Sequence, residues 1–247
     1  MKTTPHRQRG AALLTALIIV TLVVTLAAAM VWQQWRAVQV ESAERARMQS
    51  GWILQGALDW ARLILREDAR SGRPTALTEP WATPLAEARL STFLAADKDR
   101  NAEDDGPEAF LSGSISDAQA RLNLTNLVDA QGKPSLPDVQ AFERLCQTIG
   151  IGSDLAARIA AGLRDAQAAT GANAPLRPRT LAQLAWLGVD ADTIAALEPY
   201  ATLLPARSPV NVNTAPREVI AAAIKGLDLA TAERLVQLRQ RDPFKRI

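Results

Sequence analysis

An unbroken apolar run opens the chain. Ala11 to Trp32 reads AALLTALIIVTLVVTLAAAMVW and holds no charged residue. As a helix rising about 1.5 Å per residue it is about 33 Å long, enough for a hydrocarbon core of about 30 Å. Past it the pattern turns amphipathic. Apolar and small residues recur at helical spacing at Trp52, Gly56, Trp60 and Ile64, with Ile53, Ala57 and Ala61 beside them. Glu41, Glu44, Arg45 and Arg47 fill the stretch between, and no proline falls between Pro5 and Pro74. The pattern predicts one helix over 11–70. Its first half, 11–32, lies in lipid, and its second half packs one face on a soluble domain. Gly51 and Gly56 each weaken the helix by about 1 kcal/mol relative to alanine, which predicts a bend there.

The rest of the pattern is shorter-ranged. Residues 70–84, rich in Pro, Thr and Gly, read as a loop. Residues 85–95 read as a short helix or irregular chain. Alternation over 109–124 predicts two short strands around Asp117-Ala118. From Pro137 the period is helical. Asp138 is read as the cap of a helix through Thr148, and Ile149-Gly150-Ile151-Gly152 as a tight hairpin. Ser153 then caps 155–168, and Gly171 to Pro178 is a loop. Thr180 caps 181–187, and 191–197 is another short helix. A second helical unit opens at Val210-Asn211-Val212-Asn213-Thr214-Ala215-Pro216. Here Thr214 is read as the N-cap, Pro216 as a first-turn residue and Glu218 as a match for the helix dipole. Helices at 217–224 and 231–241 follow, joined at Lys225-Gly226-Leu227-Asp228 and stopped by Asp242-Pro243-Phe244. The predicted organisation is a leader at 1–10, the long helix at 11–70, a region with short strands at 71–125, and helical modules at 126–205 and 206–247.

Charge and composition change this picture in three places. First, the leader carries Lys2, Arg7 and Arg9 and no acid, so it stays cytoplasmic and the rest is exported. The formal net charge is +2, and removal of those three cations leaves about −1, which implies no basic face for nucleic acid. Second, the single histidine is His6, inside the leader. That excludes a Ser-His-Asp triad, a Cys-His dyad and histidine metal ligation from the processed chain. The single cysteine, Cys146, sits in a helical stretch and reads as a core residue. Third, Asp97 to Glu108 places oxygen ligands at the spacing of a calcium loop: Asp97, Asp99, Asn101, Asp105 and Glu108. Ala102 stands where such a loop needs glycine and Asp104 where it is usually apolar. The segment therefore reads first as a solvated acidic turn, with those five residues as candidate cation ligands.

The junction Arg9-Gly10-Ala11-Ala12-Leu13-Leu14 decides the class. A secretory signal is cut after its apolar core, and Ala27-Ala28-Ala29 offers such a site, but this core exceeds the usual 7–15 residues. Gly10 lies ahead of the apolar run, so a cut there keeps the whole helix. The arrangement resembles the leader of type IV pilins and pseudopilins. The resemblance implies cleavage between Gly10 and Ala11 by a prepilin peptidase and N-methylation of Ala11. In most such proteins the fifth residue of the mature helix is a glutamate that pairs with a neighbour's amino terminus; here it is Thr15.

With Thr15, the stretch Asp117-Ala118-Gln119-Ala120-Arg121-Leu122-Asn123-Leu124 and the stretch PVNVNTAP, the chain resembles the minor pseudopilin K family of the type II secretion pathway along nearly its whole length. The resemblance implies an α+β fold: a long N-terminal transmembrane helix, a small antiparallel pilin-like sheet and a large inserted tandem helical region of SAM-like or helix-hairpin-helix-like kind. It also implies a place at the tip of a short pseudopilus in the bacterial inner membrane, with the C-terminal domain periplasmic. The implied partners are minor pseudopilins I and J, other pseudopilins, secreted substrate and the outer-membrane secretin. Family members carry calcium sites in the helical insertion; the corresponding loop here keeps only Asp165 and Asn173. The chain stops at Ile247, where the family has more helical module and a final strand, so either it is a fragment or its sheet is incomplete. The rival reading is a membrane-anchored helix-hairpin-helix DNA-binding protein of an uptake system, whose hairpin amides and lysines grip phosphates. One lysine beside Asp228, and Ser153-Asp154 after the first hairpin, favour protein assembly.

Overall fold

The computed structural model describes residues 8–89, 110–168 and 175–245, with no account of the side chains at 8–10 and 88–89. The chain divides into two units, Met1–Ile64 and Leu65–Ile247. The first is one helix, α1, Gln8–Ser71, whose last turns run on into the second unit. It stays α-helical through Gly51 and Gly56. Its apolar side chains from Leu13 to Val31 are exposed, as expected of a segment whose solvent is lipid. Where the apolar run ends, the Arg36 guanidinium lies 5.5 Å from the Trp32 ring centroid. Aromatic and basic residues collect in this way at a membrane interface. Beyond it, pairs such as Arg45–Glu41 and Arg62–Asp59 sit one helical turn apart on the surface; each adds a few tenths of a kcal/mol.

In the second unit, a loop with a short 3-10 turn at Pro80–Ala82 leads into β1, Leu85–Arg89. It pairs antiparallel with β2, Phe110–Gly113, through Leu85↔Gly113, Ala88↔Leu111 and Arg89↔Phe110. The expectation of a helix or irregular chain from residue 85 is corrected here. Leu, Ala, Glu and Arg favour helices in isolation, but pairing to a neighbouring strand overrides that preference. The two strands expected around Asp117 both form, in different sheets. The second, β3, Leu122–Asn123, runs parallel to β4, Ala201–Thr202.

Among the described residues five helices and a 3-10 stretch surround one core. Helix α2, Leu136–Thr148, is capped at Ser135; Asp138 instead sits in its first turn and accepts the Ser135 hydroxyl. Helix α3, Asp154–Ala168, follows the glycine hairpin, in which Gly150 has φ +76°. The stretch Leu181–Leu187 is 3-10 rather than α, and Gln183 Oε1 accepts the Thr180 and Arg179 amides at its start. Helix α4, Ala191–Leu197, is capped by Asp190, whose carboxylate accepts from Thr193 N at 2.8 Å. Helices α5, Arg217–Ala223, and α6, Leu229–Arg241, meet at a turn where Gly226 has φ +81°, and Asp228 caps α6.

Phe142, Leu145 and Cys146 of α2, Leu155, Ile159 and Leu163 of α3, Leu184 of the 3-10 stretch, Leu197 of α4, Val219 and Ile220 of α5, and Ala232 of α6 form a single buried cluster. Helices from both sides of residue 206 thus share one interior. Burial pushes the Cys146 thiol up to about 11, so it serves as an inert core side chain. At the α2–α5 contact Arg144 Nε and a terminal nitrogen donate to Ala222 O at 2.9 and 2.7 Å, satisfying a carbonyl at the end of α5. Nothing lies within 4 Å of a Cβ added at Gly150, so only its left-handed backbone resists substitution. Gly150→Ala is expected to cost about 1–2 kcal/mol, measurable as a lower midpoint in urea unfolding.

Candidate functional site

The two motifs singled out in the sequence are brought face to face. Asp117 Oδ2 accepts Asn211 Nδ2 at 2.8 Å and Thr214 Oγ1 at 2.7 Å, while its Oδ1 accepts Gln119 N at 2.8 Å. Asn211 N donates to Gln119 O at 2.9 Å, and Asn211 Nδ2 also reaches Thr75 O at 3.1 Å. Thr214 is therefore not the N-cap of α5; Pro216 holds that position and Glu218 lies in the first turn. The threonine hydroxyl is drawn instead to the Asp117 carboxylate, which is a stronger acceptor than a peptide oxygen.

Asparagines continue the clasp. The Asn123 amide donates to Ala206 O at 2.8 Å and Ser208 Oγ at 3.1 Å, and its oxygen accepts Thr125 N and Leu204 N, both at 3.1 Å. Asn126 exchanges two bonds with the Ser208 backbone. Asn213 does the same with Phe244, at 2.9 and 2.8 Å. An amide side chain carries a donor and an acceptor, so it completes irregular backbone where no ladder can. From α6 the buried Arg239 donates to Val212 O and Ala215 O, which locks the PVNVNTAP turn against the last helix. Burial lowers the Arg239 pKa from its ordinary value. Sequence reasoning missed this arginine, because in an amphipathic helix with basic residues in its last turn it looks like any solvated one.

A cleft of about 970 Å³ borders the clasp. Its lining, which includes Arg73, Thr75, Gln119, Asn211, Phe244 and Lys245, presents one threonine hydroxyl and no carboxylate, cysteine or histidine. Among the described residues no three His, Cys, Asp or Glu side chains gather as a metal site. The candidate ligands Asp97, Asp99, Asn101, Asp105 and Glu108 lie outside the described residues, as does Asn173. Asp165 is paired with Arg164 at 2.9 Å, so the described part of that loop offers no calcium cage.

At the other end of the chain, Gly10 and Ala11 lie within α1, and Thr15 follows one turn later. Thr15 Oγ1 donates to Ala11 O at 3.1 Å and Ala12 O at 3.0 Å, so its hydroxyl is satisfied inside its own helix. Among the described residues α1 alone is long and apolar enough to cross a membrane.

A type II secretion system protein K from Pectobacterium carotovorum subsp. carotovorum is 30% identical to this chain, over 95% of this chain and 76% of that protein. The chain belongs to the type II secretion system protein K family. Two models of that family, both described as type II secretion system protein K, match residues 120–206 and 210–247. The family's protein from Pseudomonas aeruginosa is 28% identical over 96% of this chain and 74% of its own length. In fold, the chain is similar to one in the crystal structure of the GspK-GspI-GspJ complex of the enterotoxigenic Escherichia coli type 2 secretion system. That likeness has a TM-score of 0.55 and 21% identity, and covers 73% of this chain and 68% of that one. The α+β architecture, with its long apolar helix and small antiparallel sheet, agrees with this fold. The first model begins at residue 120 and the second at 210, each within one of the two stretches that the clasp joins. Membership in a secretion-system family favours assembly over the DNA-binding reading, and in the second hairpin the Asp228 carboxylate accepts the Thr231 amide of α6.

Proposed function

We propose that this chain is a minor pseudopilin at the tip of a type II secretion pseudopilus, acting in pseudopilus assembly and in protein export across the outer membrane. The observation that carries the reading is family membership in a chain that carries the long apolar helix α1. In this reading 11–32 anchors the chain once in the inner membrane, the leader faces the cytoplasm and the folded unit faces the periplasm. Prepilin peptidase cuts between Gly10 and Ala11, and Ala11 is then methylated. The role is mechanical rather than enzymatic. The pilin-like region 71–125 supports a head built of 126–205 and 206–247, too bulky to allow another subunit above it.

Fold likeness to a chain of the GspK-GspI-GspJ complex supports minor pseudopilins I and J as partners. Further contacts in this reading are other pseudopilins, secreted substrate and the secretin. Thr15 supports the tip position. A carboxylate at membrane depth costs several kcal/mol unless partnered, and a subunit with none ahead of it lacks that partner, whereas the Thr15 hydroxyl closes on its own helix. Mass analysis of the chain extracted from membranes tests the reading, with a methylated terminus at Ala11 expected and one near Met30 overturning it. Thr15→Glu is expected to weaken co-purification with the I and J subunits about tenfold or more, as an unpaired charge in lipid demands. Unchanged recovery of the complex would refute the account of Thr15.

A further inference from the structure

We propose that Asp68 and Glu79 form a proton-sharing carboxyl pair that fastens the last turns of α1 to the loop 72–84, and that the fastening loosens as pH rises and the shared proton is lost. Glu79 is only 7% exposed. Its Oε2 is well served, accepting Ala76 N at 3.0 Å and Trp81 Nε1 at 2.9 Å. Those two neighbours are themselves buried, so the carboxylate is the hub of a small closed structure. Its Oε1 is equally sealed from solvent, yet no N–H or O–H reaches it. A buried acceptor left unmatched is costly, more so when it carries charge.

The Asp68 carboxyl, on the half-buried side of the last turns of α1, faces Glu79 and is itself only an acceptor when ionised. One proton on Asp68 converts it into the missing donor. The surroundings favour that arrangement. Burial, the hydrogen bond to Glu79 and the Glu79 charge all push Asp68 up, against a smaller pull from Arg73. Burial pushes Glu79 up as well, but the Trp81 indole, the Ala76 amide, Asp68 and Arg73 outweigh it and hold Glu79 below its ordinary value. Asp242 and Lys245, from the chain after α6, line the cleft beside Glu79 with Arg73 and complete the charged groups around the pair. Two carboxylates fall far short of the six to eight oxygens a calcium ion takes, and no third metal-binding side chain joins them among the described residues. A proton suits the site better than a cation.

The two shifts act in opposite directions. Asp68, raised in the folded state, contributes stability fully in acid and loses it as pH rises through the raised value. Glu79, lowered in the folded state, contributes above its unfolded value and loses that as pH falls through the lowered one. The pair is therefore tightest between those two values, where one group is protonated and the other ionised.

Hydrogen exchange over 72–84, read in the full chain in detergent micelles, tests the proposal, because the Ala76 amide is bonded to Glu79. Asp68→Asn supplies a permanent N–H donor in place of the proton, and comparison at each pH cancels the intrinsic pH dependence of exchange. In medium acidic enough to keep the proton on Asp68, wild type and variant are expected to be equally protected. At about pH 8, with the shared proton gone, the wild type is expected to exchange several-fold faster than the variant. Glu79→Gln, which can donate to Asp68 without a proton, is expected to be equally insensitive to pH. A constant ratio of wild type to Asp68→Asn across the range would overturn the proposal. So would a Glu79→Gln profile that follows the wild type. Calcium chloride alone restoring wild-type protection at about pH 8 would overturn it too, by making the pair a cation site.

Discussion

Asn123→Ala is expected to lower the stability of the folded unit by about 3 kcal/mol, the largest loss expected from a single polar side chain here. Asn123 is 4% exposed and makes four hydrogen bonds, three of them to chain 81–85 residues away. Each is worth about 1 kcal/mol net, and removing the amide strands the partners that face the interior. It also unpins β3 from β4, since Asn123 is one of the two paired residues in that short parallel contact. At about 2–4 °C per kcal/mol for a unit of this size, the thermal midpoint is expected to fall by about 6–12 °C. Asn123→Asp keeps the two acceptor bonds and loses the two donor bonds, so it should fall between. Near-UV circular dichroism of the full chain in micelles reads both; a midpoint unchanged in Asn123→Ala would show that the backbone holds the contact by itself.

Gly10→Leu is expected to abolish leader removal. In the proposed reading the peptidase must bring the peptide bond after Gly10 into its active site at the membrane surface, where a bulky side chain leaves no room for close backbone approach. The measurement is the gel mobility of the chain in cells carrying a prepilin peptidase. The wild type is expected to shorten by the ten-residue leader and the variant to stay at full length. A normal shift in the variant would place the cut elsewhere.

The long helix was legible because its signal is one-dimensional. Sixty residues without proline, apolar first and amphipathic after, leave the backbone one way to satisfy itself in lipid and in water. The glycine hairpins at Gly150 and Gly226 were legible, since each rests on the conformational needs of two or three adjacent residues. Strand β1 was not. LAEAR carries helix-forming residues, and only its distant partner makes it a strand. The caps at Ser135 and Pro216 shifted for a related reason: Asp138 and Thr214 found other partners, and local preference yielded to them.

The same division holds for the candidate site. The sequence alone marked the long apolar run, with Gly10 and Thr15 around its start, and the single histidine at His6. It also marked the stretches at 117–124 and 209–216 as unusual. Only the tertiary structure decided that these stretches close on one another, that Arg239 and Asn213 lock the second, and that Glu79 is buried against Asp68. Periodicity and capping are set by neighbours within a few residues, where sequence spacing equals spatial spacing. A hydrogen bond across eighty residues depends on how the whole core packs, and nothing in the spacing of either motif encodes the other.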